Sequence, residues 1–302
     1  MFANPSYDVL IVGGSHAGLS AALVLGRSLR RVLVLDAGQP CNRQTPHSHG
    51  FLTRDGVPPA ELAAIARAQL AHYPTVELRA ATVVGAAADA AGFRVETADG
   101  ATHAGRKLLL ATGLHDELPP IPGLAACWGI SVLHCPYCHG YEVHHQPLAV
   151  LSGRDSGFEF ARLIHHWSPD LRLLTNGPSQ LSGDEAAHLA ARGVTVIETP
   201  LQAVEHEAGR LRALRLADGT RLPLTALFAR VPFRQASDLG TQLGLSLTDA
   251  GLVAADEFGR TAVPGLYVAG DNSTLMRQVA AAVANGSKAA AFINHELIAE
   301  DF

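Results

Sequence analysis

The sequence predicts an α/β protein made of two similar strand–helix–strand halves. Three observations lead there. The apolar run Val9–Val12 turns through glycines into a helix-patterned segment and on to a second apolar run, Val32–Leu35. The same plan returns later, at Leu148–Leu151 and Leu171–Leu174. Each opening is followed by an Asp-Gly hairpin signal, at Asp99-Gly100 and at Asp218-Gly219. Continuous apolar runs, rather than alternating ones, mark strands of a parallel sheet buried on both faces.

The elements follow in order. Leu19, Ala22, Leu23 and Gly26 fall at helical spacing, so a helix is expected from about Ala17 to Leu29. Residues 40–59, rich in Pro, His, Asn and Gly, read as a loop, and a helix follows from Pro59 to about His72. Gly92–Ala98 and Thr102–Ala111 flank the first Asp-Gly turn. Leu118-Pro119-Pro120-Ile121-Pro122-Gly123 reads as a domain crossing, because proline fixes φ and removes a backbone donor. Beyond it, helices are expected at Ser156–Trp167 and Asp184–Arg192, with a strand at Val194–Ile197. The last stretch gives turn and strand over Gly251–Asp271 and a long apolar helix over Leu275–Ile298.

Composition narrows the function. The chain has 302 residues, enough for two domains and a large core without disulfide staples. Its 48% hydrophobic and 17% charged content suits a folded globular protein. A formal net charge of -5 with no basic block disfavours nucleic acid as a partner. No apolar run reaches the roughly 18 residues of a membrane span. The N-terminus enters a strand almost at once, so no signal peptide is expected, and with only four cysteines a cytoplasmic location fits.

Gly13-Gly14-Ser15-His16-Ala17-Gly18 lies where the first strand meets the first helix. A dinucleotide-binding turn asks for glycine at its first, third and sixth positions; Gly13 and Gly18 supply the first and sixth, and Ser15, a departure but a small residue, stands at the third. They let backbone N–H groups approach a pyrophosphate at the helix N-terminus. Asp36 ends the second strand, where a carboxylate can accept hydrogen bonds from a ribose.

Cys135-Pro136-Tyr137-Cys138 has the spacing of a redox pair, which can close a small disulfide ring and lower a thiolate pKa. Histidines surround it: His134, His139, His144 and His145. Structural zinc is therefore a second reading, although no second CxxC is present. An inert pair is the third. His139 and His134 are the acid/base candidates, since imidazole titrates near neutral pH. Cys41 and Cys127 have no partner nearby in the sequence and read as packing.

Taken together, these motifs resemble the low-molecular-weight thioredoxin reductase-like family over essentially the whole chain. The segment Thr261 to Asp271, with Pro264-Gly265-Leu266-Tyr267-Val268-Ala269-Gly270-Asp271, is similar to the closing flavin motif of that family. Leu110-Ala111-Thr112-Gly113 resembles its second flavin-side motif, and Arg277-Gln278-Val279 stands where the family has Arg-Gln-Ala. Cys-Pro-Tyr-Cys-His-Gly-Tyr-Glu is closest to a branch that includes bacterial reductase-like proteins and fungal dithiol oxidases. The resemblance implies two Rossmann-like domains of the three-layer ββα type. An FAD domain, residues 1–117 and 233–302, would be interrupted by a smaller NAD(P)H-like domain, residues 118–232. It implies FAD held by Gly13, Gly14, Ser15, Gly18, Asp36, Val83, Thr112, Gly113, Asp271, Gln278 and Val279. The helix after Asp271 would aim its positive N-terminus at the flavin. No metal is implied. Cys138 would face the flavin and Cys135 would exchange with substrate through a mixed disulfide that Cys138 resolves. His139 stands where ordinary thioredoxin reductases carry Asp.

The second half departs from the family. The small-residue positions after Leu148–Leu151 fall on Ser152, Arg154 and Gly157, and an arginine crowds the pyrophosphate approach. Thr175-Asn176-Gly177-Pro178 replaces the cationic cluster that grips the 2′-phosphate of NADPH. NADPH is thus an open expectation, with ferredoxin as an alternative donor. The expected partner is a thioredoxin-like protein or a small-molecule disulfide or dithiol, and the assembly a homodimer. An oxygen-dependent dithiol oxidase and a non-enzymatic flavin redox sensor are the rival readings.

Overall fold

The computed structural model describes residues 7–152 and 156–302. The chain starts with strand β1 (Tyr7–Val12), helix α1 (His16–Arg27), β2 (Val32–Asp36), helix α2 (Pro59–Leu70) and β3 (Val76–Ala80). β2 pairs in parallel with β1 and with β3. The hairpin around Asp99-Gly100 forms as expected. β4 (Val83–Asp89), β5 (Gly92–Thr97) and β6 (Thr102–Leu110) make an antiparallel meander. β6 is long enough to serve two layers. Its first residues pair with β5, and it also lies parallel to β1.

Side-chain alternation sorts this sheet into two cores. Val9, Ile11, Val34 and Leu109 face the helices and pack with Leu19, Ala22 and Leu25 of α1. Leu10, Val12, Leu33, Leu35, Leu108 and Leu110 face the other way, onto Phe93 and Val95 of the meander. Both faces are covered, which explains why these strands read as continuous apolar runs. Each such Leu, Ile or Val contributes roughly 1.5–3 kcal/mol by its burial.

After β7 (Leu114–Asp116) the plan repeats. Helix α3 (Leu124–Cys127), β8 (Val132–Leu133) and the short helix α4 (Pro136–His139) lead into β9 (Leu148–Leu151), α5 (Phe158–Ile164), β10 (Leu171–Leu174), α6 (Gly183–Ala191) and β11 (Thr195–Ile197). β12 (Leu201–Glu207), β13 (Arg210–Leu216) and β14 (Arg221–Pro223) form the second meander, and β15 (Ala226–Ala229) completes a parallel sheet ordered β11-β10-β9-β15-β8. Leu148, Val150 and Leu173 pack on Phe160, Ile164 and Leu189 of the helices. Ala149, Leu151 and Leu174 pack on Val204, Leu211 and Leu214 of the meander. Each half is therefore helix, parallel sheet and meander: two Rossmann-like domains of the ββα type.

The chain then returns through β16 (Phe233–Gln235), which pairs with β7, and the short helix α7 (Leu239–Gln242) to β17 (Leu266–Val268), parallel to β6. The last helix, α8 (Val279–Asp301), lies against α1. The close approach depends on Gly286, where a Cβ would overlap the carbonyl oxygen of Ala17. α8 begins at Val279 and not at Leu275, because Gln278 is extended (φ −133°, ψ 149°) and the preceding residues form a turn. α5 likewise starts later than expected, after Gly157 in the left-handed region (φ 76°).

Two compact units result. One holds Met1–Arg43, Gly50–His115 and Phe233–Phe302, and the other Gln44–His49 and Asp116–Pro232. Segment 44–49 thus groups with the second unit rather than with the flavin stretch. Thr45 packs over Gly129, where a Cβ would meet its hydroxyl at 3.0 Å, and His49 pairs with Glu142.

Candidate active site

Cys135 and Cys138 are joined as a disulfide across a Cα–Cα distance of 5.3 Å. The local sequence explains the shape. Cys135 is the extended N-cap of α4, and Pro136 takes the first helical position, where its missing N–H costs nothing. One helical turn later Cys138 returns to the side of Cys135, its N–H donating to the Cys135 carbonyl at 3.3 Å. Gly140 closes the turn by donating to Pro136 O at 2.7 Å. A Cβ at Gly140 would sit 2.7 Å from Trp167 Nε1, so only glycine lets the turn lie this close to the indole. Tyr137 is exposed and meets Trp167 edge-on at 5.6 Å. With both sulfurs in a disulfide, neither is a thiolate ligand for zinc. Among the described residues no group of three or more His, Cys, Asp or Glu side chains is arranged to hold a metal ion.

The two flanking histidines differ. His134 stacks on Trp128, ring centroids 6.0 Å apart. His139 ends α4 and lines a cleft of about 650 Å³. Burial holds its pKa below the usual imidazole value; the carboxylate of Glu142 opposes that shift and His49 adds to it. Glu142 sits three residues on, in a 3-10 turn at Tyr141–Val143, and His49 Nε2 lies 3.3 Å from Glu142 Oε1. The cleft also touches Ser131, Pro147 and Thr225, which immediately precede β8, β9 and β15. It therefore opens at the amino ends of the parallel strands, whereas nucleotides bind beyond the carboxyl ends.

The first unit gathers its candidates at that carboxyl edge. Gly13 has φ 108°, and a Cβ there would overlap the carbonyl oxygen of Ala111. A Cβ at Gly18 would overlap the Gly13 carbonyl, and one at Gly14 would lie 2.6 Å from Asp36 Cβ. Ser15 is the extended N-cap of α1, but its side chain makes no capping bond, so the first helical N–H groups stay directed at the turn. Asp36 accepts from Gly38 N at 3.1 Å and from Arg67 at 2.8 Å, which leaves lone pairs on both oxygens. Thr112 and Gly113 follow β6, and Gly113 O accepts from Ala236 N at 3.2 Å. Asp271 lies 3.6 Å from Arg277 Nε and accepts from the Cys41 thiol at 3.7 Å, so Cys41 does more than pack. Asn272 donates to Leu110 O at 2.8 Å, while its buried Oδ1 has no protein partner among the described residues. Gln278 and Val279 are the N-cap and first residue of α8. Val83 opens β4, half-buried beside the meander core. A glycine-lined cradle, an uncapped helix start and an orphaned buried acceptor fit a dinucleotide such as FAD.

Comparison with known proteins agrees. Residues 7–286 match the family model described as pyridine nucleotide-disulphide oxidoreductase. The chain belongs to this family. It is 32% identical to thioredoxin reductase tcpT of Claviceps purpurea, covering 97% of this chain and 95% of that protein. It is 31% identical to thioredoxin reductase aclD of Aspergillus oryzae, covering 98% of each. The crystal structure of an oxidoreductase from Agrobacterium tumefaciens superposes with a TM-score of 0.91 at 37% identity, over 97% of this chain and 98% of that one. The chain is thus a flavoprotein disulfide oxidoreductase of the thioredoxin reductase-like branch, as the CPYCHGYE segment implied.

Within this family the second unit is where a pyridine nucleotide would sit. Ser152 N donates to Leu174 O at 2.8 Å, and a Cβ on Gly157 would meet Ser152 Cβ at 3.1 Å. Arg154 lies outside the described residues. The turn after β10 is filled by its own polar contacts. Thr175 Oγ1 donates to Gly177 O at 2.6 Å, and Asn176 Oδ1 accepts from Leu201 N at 2.8 Å. Glu198 closes it, its carboxylate accepting from Ser179 N at 3.0 Å. A carboxylate, that of Glu198, thus borders this turn. Sequence reading missed His49 and Glu142. Glu142 carried a signal, its helical i, i+3 spacing from His139. His49 carried none, since a histidine in a loop gives no hint of its partner.

Proposed function

We propose that this enzyme carries electrons between FAD and an outside dithiol or disulfide by way of Cys135 and Cys138. The observation that carries the reading is the closed Cys135–Cys138 disulfide at the start of α4, with His139 in the same helical turn. Bound FAD supplies the two-electron carrier. The protein's own step is thiol–disulfide exchange. A substrate thiolate attacks Cys135, the bond between the cysteines breaks, and its electron pair leaves on Cys138. The second substrate thiol then releases the product disulfide and leaves two cysteine thiols. Run in reverse, the same exchange reduces an outside disulfide. His139 holds the proton that the departing cysteine takes up, and His134 flanks the attacked sulfur.

Relatives named as thioredoxin reductases support a thioredoxin-like or small disulfide partner. The turn after β10, which carries no cation and is bordered by Glu198, speaks against NADPH as donor and favours a second reading, oxidation of a dithiol with oxygen as acceptor. Reduced ferredoxin is the alternative donor on the reductive side. A homodimer in the cytoplasm is part of the same proposal. The test is anaerobic mixing of the purified yellow protein with NADPH. No rapid bleaching is expected, whereas dithiothreitol in air should be oxidised with formation of hydrogen peroxide. Rapid bleaching by NADPH would overturn the donor reading.

A further inference from the structure

We propose that Glu142 and His49 are positioning residues for His139, a carboxylate–imidazole pair of opposing influence that sets when His139 holds its proton. The inference rests on the reading of His139 as the proton carrier of disulfide exchange and adds to it what governs that carrier. The geometry is local. α4 and the 3-10 turn are consecutive, so His139 and Glu142, three residues apart, are neighbours on one helical surface. His49 arrives from a remote part of the chain and lies 3.3 Å from Glu142 Oε1. All three side chains line the same cleft.

The other charged or titratable groups on that cleft are His47, Arg210 and Arg212. Arg212 is paired with Glu207 at 2.7 Å. Glu142 is therefore the only carboxylate among the cleft's described lining residues. Its side chain is 40% exposed, so its field at His139 is moderated by water but not abolished. Glu142 favours imidazolium at His139; a charged His49 both repels that imidazolium and competes for Glu142.

The chemistry gives the pair a purpose. When an outside thiolate opens the disulfide, a new S–S bond forms at Cys135 and the electron pair of the broken bond goes to Cys138. That sulfur becomes a thiol if His139 imidazolium gives up its proton. The neutral imidazole is reprotonated from water in the cleft, on the side away from the nucleotide end of the sheet. Burial favours the neutral form of His139; Glu142 partly offsets that bias, and His49 adds to it.

The experiment uses the FAD-loaded full chain, with dithiothreitol as the thiol. Two quantities are read: the NMR titration of the His139 ring, assigned by its absence in His139→Asn, and the anaerobic rate of disulfide opening against pH, followed by thiol trapping. Glu142→Gln should move the His139 titration down by about half a pH unit, the small end for a partly exposed partner. The rate profile should move the same way. His49→Asn should move both upward. Opposite signs from two substitutions at one contact are not produced by loosening the structure. If neither variant moves the His139 titration, or both move it in the same direction, the role of Glu142 and His49 is overturned while that of His139 stands. If His139→Asn leaves the rate and its pH profile unchanged, the underlying reading of His139 fails, and the proposal with it.

Discussion

Burial is the leading cause of a lowered pKa at three histidines, His16, His103 and His139. His139 and His16 are both held below the ordinary imidazole value of about 6.5 by desolvation. In the window between that value and the lower folded one, the unfolded chain binds protons that the native chain does not. Stability is therefore fully present above about pH 6.5 and is lost as pH falls through the folded pKa. His139→Asn should flatten the decline of Tm with falling pH, measured by thermal melts across that window. An unchanged slope would mean that His139 does not contribute to it. Single-residue roles were also the hardest to read in advance. The CxxC spacing showed the cysteines, and the position after Cys138 showed His139. The ion pair of His49 with Glu142 joins residues far apart in the chain, and no local pattern encodes such a contact. Cys41 was read as packing for the same reason, since its partner Asp271 comes from the opposite end of the sequence.

At the level of elements, the packing of α8 on α1 is set by small residues. Ser20 Oγ donates to Val283 O at 2.7 Å, and Gly286 passes over the backbone of Ala17. Gly286→Ala should force the helices apart and cost about 1–3 kcal/mol, the usual range for overpacking. The same displacement would disturb the start of α1, so less bound flavin is expected on purification. Thermal melting and flavin content check both effects; wild-type values for each would show that the contact is dispensable. Elements buried on both faces were the most legible, because their apolar runs leave no other reading. Leu148–Leu151 and Leu171–Leu174 match their strands residue for residue. Short edge elements were not legible. β8 has two residues and β16 three, and they exist only because a neighbour supplies the hydrogen bonds. The start of α8 was misread because Leu275 and Met276 continue its apolar pattern, although both are exposed in a turn.

For the whole molecule, a single architecture serves two different fates. Both units are helix, parallel sheet and meander, and the first carries a glycine cradle with an uncapped helix start at its carboxyl edge. In the second, Glu198 and the turn at 175–178 meet beyond the ends of β10 and β11, and the working disulfide lies elsewhere in that unit. Family membership was legible from three flavin-side motifs in order, while the electron donor was not, because the second unit departs from the family's nucleotide-binding pattern at Ser152 and Arg154. The central claim is that electrons from a dithiol reach the flavin only through the Cys135–Cys138 pair. Anaerobic mixing of the yellow protein with dithiothreitol, followed by flavin absorbance, tests it most directly. Wild type should bleach and Cys138→Ser should stay yellow with the same flavin content. Bleaching of Cys138→Ser at the wild-type rate would contradict the claim.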